Sequence, residues 1–507
     1  MVTIKLKRAR NSLLNVSKLP PEVLGDIFRW NVTVIGDVGQ LEERSHNFLL
    51  VCHHWFEVAS RTPELWSFWG NNLQDWTKRH LQYPTAPLDL VLDGRQFRGG
   101  TPGRSLLNAL EHRAAQDTIR QVHLISGDSK LLGSIISPLV TNCAGIRSSS
   151  VESLILCDES GPGGDTSVDV SDFFAHHRFP KLQRLVTVNC RISSWDFITS
   201  RTSLLTILSL GFSYPSPTPT TSQLLSILDS NPALQEVSLS GCAVPGDGDN
   251  KSSRVTLHHL RELEFFGELR HVFGLLHRLD HPRDMDRLTL ALEDCDVTEI
   301  SQIIGPYLRD YLRHRGRSQN GLGLFISSLG PIVLNVSDVG GVDFSAMGPT
   351  EAERFLVIQV RLNQRLRKDL KQEATLDLIS YVPPGEVVCF SAFGDPVGMK
   401  DISVQLPHIR ALYFNRTTLH VAFPKPTPDW DGSIFPSLRH VSLEEVVVRR
   451  EDWSPLITFL ERRSSSGDQL DTLAVISPYC MQPAVEESVK EMVRKFWTND
   501  DDRFSPL

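Results

Sequence analysis

The sequence predicts an α/β protein in which a small helical module near the N-terminus precedes a long array of strand–helix repeats. Two observations support this class. Large apolar residues and helix-capping residues are concentrated between positions 19 and 69, and one short apolar pattern recurs from position 119 to position 475. Stacked repeats of this kind would form a curved parallel sheet with helices on its convex side.

The composition is that of an ordinary globular protein. Of the 507 residues, 40% are hydrophobic and 22% are charged, with a formal net charge of −8, which excludes a disordered, collagen-like or disulfide-scaffold chain. The mild acidity argues against general nucleic-acid binding. We find no stretch of about 18 apolar residues and no secretory signal, so we expect no membrane contact and a cytoplasmic or nuclear location.

The basic N-terminal residues and the cysteines bear on this location. Lys5, Lys7, Arg8 and Arg10 form either a nuclear signal or a solvated basic tail. The eight cysteines contain no C-x-x-C pair. This distribution favours small buried hydrophobic residues in a reducing compartment over disulfides or zinc ligands.

The first predicted helix begins near residue 20. Ser17 is a plausible cap, and Pro20 and Pro21 suit the first helical turn. Four apolar residues then share one helical stripe, namely Val23, Leu24, Ile27 and Phe28.

Two further short helices are predicted before residue 70. Ser45 would cap a helix over residues 45–59, and Thr62 and Pro63 would begin the next one. The apolar face of the second helix comprises Phe48, Val51, Cys52, Trp55, Val58 and Ala59, and that of the third comprises Leu65, Trp66 and Trp69. A core this small tends to need a partner or a neighbouring domain.

Three blocks of this module resemble the F-box. Residues 19–28 read LPPEVLGDIF, residues 51–55 read VCHHW, and residues 63–66 read PELW. These blocks match the family in order, in residue type and in the spacing within each block. The link over residues 31–44 is longer than in the family and predicts a loop insertion.

The F-box resemblance implies a partner. Residues 17–70 would bind the Skp adaptor subunit of a Skp–cullin–F-box ubiquitin ligase, and through it a cullin. The residues expected to contact the Skp subunit are Leu19, Pro20, Pro21, Val23, Leu24, Ile27, Phe28, Val51, Cys52, Trp55, Leu65 and Trp66.

The remaining chain repeats the pattern apolar-x-x-apolar-x-apolar. Ten copies occupy residues 119–124, 151–156, 182–185, 205–210, 234–239, 260–265, 285–290, 409–414, 438–443 and 470–475. Neighbouring copies within each run start about 23 to 32 residues apart, close to the leucine-rich-repeat period of roughly 20–29. The resemblance is to the irregular leucine-rich arrays carried by many F-box proteins, notably those of fungi.

Each copy predicts a short strand followed by a helix. The period-two part of the pattern buries alternate side chains, and residues 223–230 and 452–463 have apolar helical faces. Asn or Cys, which commonly satisfies backbone groups after such a strand, is found at Cys157, at Asn189 with Cys190, at Cys242 and at Cys295.

The pattern fades over residues 291–408. Residues 329–334, 355–360 and 387–390 are possible further strands. The region therefore contains either degenerate repeats with long loops or a break in the array. The predicted organisation is a basic tail (1–16), an F-box-like domain (17–70), a linker helix (71–87), a repeat domain (88–497) and a C-terminal tail (498–507).

Catalytic motifs are not evident. Residues 98–105 lack the lysine of a phosphate-binding loop, and His277 and His281 have no third metal ligand nearby in sequence. We therefore expect a protein that is not an enzyme and that has no metal or cofactor.

The expected function is that of a substrate-recognition adaptor whose repeat domain binds an unidentified protein substrate. The alternatives are an F-box scaffold or regulator that acts without ubiquitination, and a hydrolase or nucleotide switch in the irregular middle. The outward-facing strand residues are polar and mixed in charge, as at Arg120, Gln121, His123, Glu236 and Glu264. They do not indicate which class of ligand binds.

Overall fold

The structure is a computed structural model in which the chain divides into two compact units, residues 1–259 and 260–507. The described residues are 18–33, 51–62, 68–69, 88–93, 119–128, 130, 132–133, 135–136, 150–159, 168–176, 179–199, 204–212, 218–241, 254–282, 284–315, 322–327, 331–338, 354–362, 368–394, 399–423, 435–448, 452–476 and 481–498. The predicted basic tail, the predicted linker helix and residues 499–507 lie outside them.

The described part of the first unit contains ten strands and five helices with defined bounds, and residues 130, 132–133 and 135–136 are also helical. The helices are α1 (Pro21–Thr33), α2 (His53–Arg61), α3 (Ser171–His176), α4 (Asp196–Thr199) and α5 (Thr221–Asp229). The strands are β1 (Phe68–Trp69), β2 (Leu88–Asp93), β3 (Ile119–Ser126), β4 (Ser153–Asp158), β5 (Val168–Asp169), β6 (Arg184–Val188), β7 (Cys190–Arg191), β8 (Ile207–Gly211), β9 (Glu236–Ser240) and β10 (Val255–Thr256).

One parallel ladder organises the first unit. Its strands follow the order β1-β2-β3-β4-β6-β8-β9, and every neighbouring pair is parallel. The short strands β5 and β7 form a separate parallel pair. Side chains alternate along these strands, as in β9, where Val237 and Leu239 are buried and Glu236 is exposed. One face of β9 therefore belongs to the core, and its other face is at least partly exposed.

Helix α5 shows how the chain connects two of these strands. Thr220 and Gln223 form a reciprocal capping box at its N-terminus. The Nδ2 of Asn231 donates to the Ile227 carbonyl at 2.7 Å and ends the helix. Leu224, Leu225, Ile227 and Leu228 are its buried residues. The helix predicted over residues 223–230 is therefore confirmed.

The second unit has the same mixture of strands and helices. Its strands are β11 (Glu262–Glu268), β12 (Leu279–Asp280), β13 (Arg287–Cys295), β14 (Leu322–Ser327), β15 (Ile332–Asp338), β16 (Arg354–Leu362), β17 (Val387–Phe393), β18 (Ala411–Asn415), β19 (His440–Glu444), β20 (Thr472–Ile476) and β21 (Phe496–Thr498). Its helices are α6 (Leu269–Leu276), α7 (Val297–Glu299), the π-helix Ile300–Ile304, α8 (Gly305–Arg315), α9 (Lys368–Ser380), α10 (Met399–Gln405), α11 (Leu419–Ala422), α12 (Ser454–Ser465) and α13 (Pro483–Met492).

The ladder of the second unit is mostly parallel. Its order is β11-β13-β16-β15-β14-β17-β18-β19-β20-β21, and only β15 runs antiparallel to its neighbours within these pairings. The chain is thus an α/β protein with a largely parallel strand arrangement. None of the described helices has the length and apolar character that a bilayer crossing requires.

All ten copies of the apolar pattern coincide with strands. In every copy except the first, the strand begins two residues after the first apolar position, as in Leu205 before β8 and Leu438 before β19. These two leading residues are fully buried. The apolar residue that opens the pattern therefore packs at the entry to the strand, as predicted.

The reversed strand β15 corrects the expectation for residues 329–334. A repeat strand there would run parallel to its neighbours, but β15 is antiparallel to both β14 and β16. Only residues 328–331 connect β14 to β15, and a parallel crossover needs a dozen residues or more. The short link therefore requires a hairpin. The preceding strand β14 was not predicted from the sequence.

Turns after the strands share a left-handed residue. Asn189, Gly241, Arg416 and Glu445 have φ values between 46° and 63°, and each directly follows a strand. Asn189 tolerates this conformation and its Nδ2 donates to the Asp158 carbonyl at 2.8 Å, which joins neighbouring strand ends. The turn role predicted for Asn189 is confirmed.

The other residues predicted for these turns have different positions. Cys190 is buried, and its thiol donates to the Leu156 carbonyl at 3.5 Å. Cys157 instead lies within β4, so its predicted turn role is wrong. Cys295 is the buried last residue of β13, and Cys242 lies outside the described residues.

Candidate functional site

Helix α1 turns two apolar residues inward and two outward. Leu24 and Phe28 are fully buried, whereas Val23 and Ile27 are 43% and 42% exposed. Residues four apart lie on the same side of a helix. The exposed pair therefore forms an apolar stripe beside the buried pair, and the predicted stripe of four is divided between core and surface.

The N-terminal cap of helix α2 is Cys52, whereas the predicted cap was Ser45. Cys52 is extended, with φ −162° and ψ 170°, and its sulfur accepts a hydrogen bond from the Trp55 backbone N–H at 3.5 Å. This bond satisfies one of the free N–H groups of the first turn. The prediction of one helix over residues 45–59 is therefore wrong, because Cys52 interrupts it.

A small core joins the two helices. The ring centroids of Phe28 and Trp55 are 5.0 Å apart, with an angle of 57° between the ring planes. Val58 and Ala59 on α2 are buried with Leu24 and Phe28. This packing shows which sides of α1 and α2 face the core.

Gly25 permits a close approach at the other end of α2. A Cβ at this position would lie 3.3 Å from the Thr62 Oγ1. That hydroxyl donates to the Val58 carbonyl at 2.9 Å, and so it is fixed at the end of the helix. A larger residue at position 25 would push α1 away from this end of α2.

Exposed apolar side chains are concentrated on this helix pair. Within the described residues, eight large hydrophobic side chains stay exposed, and four of them lie between positions 23 and 56. Besides Val23 and Ile27, these are Val51 and Phe56, which are 52% and 41% exposed. We call these four residues the N-terminal apolar surface. Single exposed apolar side chains are ordinary, whereas a contiguous group of them is typical of a protein-binding surface.

The structure distributes the twelve predicted contact residues over several environments. Leu24 and Phe28 belong to the core; Leu19, Cys52 and Trp55 are partly buried; and Pro20, Pro21, Val23, Ile27 and Val51 are exposed. Leu65 and Trp66 lie outside the described residues. The residues best placed to contact a partner are therefore the five exposed ones.

Phe56 was missed because the prediction grouped apolar residues on one helical face. Phe56 lies away from the face of Val58 and Ala59, and its backbone N–H donates to the Cys52 carbonyl at 2.9 Å. A large aromatic residue away from the predicted core face was the available signal. It adds an aromatic side chain to the exposed set.

The non-core face of the ladder in the first unit offers a second surface. The cross-strand register places Val91, His123, Ile155 and Val186 in one row and Asp93, Ile125, Cys157 and Val188 in the next. The neighbouring residues on β8 and β9 are Ser209, Ser238, Gly211 and Ser240. The row that precedes these two on the same face is polar and contains Asp89, Gln121, Ser153 and Arg184. The face over β2 to β6 therefore mixes apolar and polar side chains, as the sequence predicts.

Arg120 does not follow the strand alternation. The pairing of β2 with β3 shifts between Leu88 and Asp89, which leaves Arg120 outside the regular register. Its guanidinium makes two hydrogen bonds to the Asp89 carboxylate, at 3.0 and 2.5 Å. The pair neutralises both charges at the edge of the apolar rows.

His123 is a polar residue near the middle of this face. Its Nε2 lies 3.0 Å from the Ser153 Oγ. Burial, and then the positive charge of Arg184, lower the pKa of His123 to about 4. The imidazole is therefore neutral near pH 7, which keeps the centre of this face uncharged.

In the second unit, the outward residues of β11 are acidic around one aromatic ring. Glu262, Glu264, Phe266 and Glu268 alternate with buried residues along the strand and are exposed. This placement agrees with the outward direction expected for Glu264.

Four of the five described cysteines, Cys157, Cys190, Cys295 and Cys389, have the chemistry of buried thiols. Burial raises the pKa of Cys157 to about 11 and those of Cys295 and Cys389 to about 12. Cys190 shifts in the same direction for the same reason. At neutral pH these four side chains are thiols rather than thiolates, and they pack as small hydrophobic groups.

Comparison with known proteins identifies no relative. The sequence matches no protein-family model and no curated protein. The residue blocks at 19–28, 51–55 and 63–66, the recurring apolar pattern and the two surfaces are therefore the observations from which a function is inferred.

Proposed function

We propose that the chain is the substrate-recognition adaptor of a Skp–cullin–F-box ubiquitin ligase in the cytoplasm or nucleus. Residues 17–70 act as the F-box and bind the Skp subunit. Residues 88–497 form an irregular leucine-rich solenoid, with helices on the convex side of its curved sheet, and bind a protein substrate. The observation that carries the proposal is the N-terminal apolar surface, three of whose four residues lie within blocks that resemble the F-box.

The energetics favour a protein partner for this surface. Val23, Ile27, Val51 and Phe56 each keep more than two fifths of their surface in water. Burying apolar area contributes about 25 cal/mol per Å², and aromatic anchors commonly dominate protein interfaces. A Skp subunit that covers these residues would gain affinity from side chains that contribute little to the core.

The adaptor itself need not supply catalytic groups. In the proposed ligase, the chain holds a substrate near the ubiquitin-transfer machinery and raises its effective concentration. The non-core face over β2 to β6 is the surface we assign to the substrate, since it places apolar residues such as Ile155 and Val186 beside polar ones such as Gln121. The substrate itself is unidentified.

The test is binding of the purified full chain to a purified Skp subunit. Ile27→Ala removes an exposed side chain and is expected to weaken binding about tenfold, the effect of an interface residue worth roughly 1.4 kcal/mol. Thermal unfolding is expected to stay within about 2 °C of wild type, since surface substitutions are usually near neutral.

Two controls separate binding from folding. Val404→Ala changes another exposed apolar residue, on α10, and is expected to leave Skp binding unchanged. Leu24→Ala removes a fully buried residue and is expected to lower the unfolding free energy by about 2–5 kcal/mol. Absence of Skp binding by the wild-type chain would refute the adaptor function. Binding without any substrate that accumulates on proteasome inhibition would instead favour the scaffold alternative.

A further inference from the structure

Three side chains that can donate hydrogen bonds lie side by side on the non-core face of the first unit. Gln121 on β3, Ser153 on β4 and Arg184 on β6 are register partners, so they occupy one row on three adjacent strands. His123 joins this group from the next row, because its Nε2 lies 3.0 Å from the Ser153 Oγ. Neighbouring strands are about 4.8 Å apart. A small group placed over Ser153 is therefore within reach of the longer side chains on either side.

Arg184 brings an uncompensated positive charge to this row. It is exposed, and within the described residues no acidic side chain forms an ion pair with it. Glu236 lies on the same face but two strands away, beyond Ile207. At the other end of the row, the Asp89 carboxylate is already bound by the Arg120 guanidinium. The charge of Arg184 is therefore available to an anionic group of a partner.

The number of positive charges in this group favours a carboxylate over a phosphate. Burial, and then the Arg184 charge, lower the pKa of His123 to about 4, so the imidazole is neutral near pH 7. Of the four side chains, only Arg184 is then charged. A carboxylate carries one negative charge and matches the planar fork of a guanidinium, whereas a phosphate monoester carries about −1.5 to −2.

We propose that Gln121, Ser153 and Arg184 bind an aspartate or glutamate side chain of the protein substrate. This inference rests on the proposed function and names the chemical class of the segment that the non-core face accepts. The guanidinium donates to both carboxylate oxygens, and the Gln121 amide is a further donor. The His123 Nε2–H donates to the Ser153 Oγ, which leaves the Ser153 hydroxyl hydrogen for the carboxylate.

The next row on the same face gives the substrate segment a second feature. Ile155 and Val186 are partly buried and lie two residues along β4 and β6 from Ser153 and Arg184. Two residues of a strand span about 6.6 Å, and the same distance separates side chains on one side of an extended peptide. A segment that lies along the strands therefore presents an acidic residue and an apolar residue two positions apart.

The test is selection of peptides from a random display library of short peptides on the immobilised full chain near pH 7. Selected peptides are expected to be enriched in an aspartate or glutamate two positions from an apolar residue. Arg184→Gln is expected to weaken binding of a selected peptide about tenfold, because a hydrogen-bonded charge pair is lost. Thermal unfolding is expected to stay within about 2 °C of wild type, since Arg184 is exposed.

The matched control is Arg287→Gln, which removes an exposed arginine at the start of β13 and changes the net charge by the same amount. It is expected to leave peptide binding unchanged. Equal weakening by the control, or selected peptides without acidic enrichment, would overturn the inference. A second arm replaces the acidic residue of a selected peptide by phosphoserine, which is expected not to tighten binding. Tighter binding of the phosphopeptide would overturn the assignment to a carboxylate.

The peptide selection does not involve the Skp subunit, so its outcome is separate from that of the adaptor test. A chain that binds the Skp subunit but selects no acidic peptides would overturn this inference alone. A chain that selects acidic peptides through Arg184 but does not bind the Skp subunit would refute the adaptor function and support the carboxylate site.

Discussion

Replacing Thr187 by valine is expected to stabilise the first unit, whereas most core substitutions destabilise a protein. Thr187 lies between Leu156 on β4 and Leu210 on β8 in the strand register, and all three residues are buried. The Thr187 hydroxyl has no hydrogen-bond partner within the described part of the chain. A polar side chain therefore lies between two leucines on the neighbouring strands.

The size of the effect follows from the unpaired hydroxyl. A buried polar group without a partner costs about 1–3 kcal/mol. Valine replaces the hydroxyl by a methyl group on the same branched side chain, so it removes this cost and adds apolar contact. We expect the free energy of unfolding to rise by about 1 kcal/mol, at the lower end of that range.

The same substitution at Thr417 is expected to have the opposite sign. Thr417 is also fully buried, but its Oγ1 donates to the Gly394 carbonyl at 2.6 Å. Thr417→Val loses this bond and leaves the carbonyl acceptor unpaired. The expected cost is about 1–2 kcal/mol.

The assay is urea unfolding of both variants and the wild type, followed by far-UV circular dichroism. The stability change is taken from the midpoint at a common slope. Because the two variants make one chemical change, side-chain volume and β-branching cancel in the comparison. A loss of stability in Thr187→Val, or the same sign in both variants, would refute the reasoning from the unpaired hydroxyl.

Three further substitutions test packing, a buried charge and a titrating group. Gly305→Ala is expected to lower the urea midpoint by the equivalent of about 2 kcal/mol, since a Cβ would lie 2.1 Å from the Tyr381 ring. Arg463→Met is expected to lower it by a similar amount, about 2 kcal/mol, because the buried guanidinium donates to two backbone carbonyls at 3.0 and 2.8 Å. The lowered pKa of His123 means that the unfolded chain binds its proton more readily. Stability is therefore expected to be full above about pH 6.5 and to fall as the pH drops towards about 4; His123→Gln should flatten this loss in urea midpoints measured across that range.

Strand positions were predictable from the sequence because burial imposes a local signal. A strand with one core face needs apolar residues two apart, and the residue that leads into it is buried as well, as Leu205 and Leu438 show. The direction of each strand was harder to predict from the sequence. The reversal at β15 depends on the short link over residues 328–331. The apolar pattern carries no information about the length of that link.

The candidate site was predictable in location but not in orientation. The spacing of Val23, Leu24, Ile27 and Phe28 indicates one apolar stripe, yet α2 covers only the side of Leu24 and Phe28. Which half of the stripe is buried depends on where the neighbouring helix packs, and this is a tertiary property. Phe56 was missed for the same reason.

Arginine side chains near helix ends satisfy backbone carbonyls at two strand entries of the second unit. In the second unit, Arg315 at the end of α8 donates to the Met285 carbonyl at 2.6 Å, two residues before β13. Arg463 near the end of α12 donates to the Leu438 carbonyl at 2.8 Å, two residues before β19. Both arginines satisfy a backbone acceptor at a strand entry, where an unpaired buried carbonyl would be costly. Each of these two bonds joins an arginine to a backbone carbonyl 25 or 30 residues earlier in the chain. Because the acceptor is main chain, the bond constrains the helix end and leaves the strand side chains free to vary.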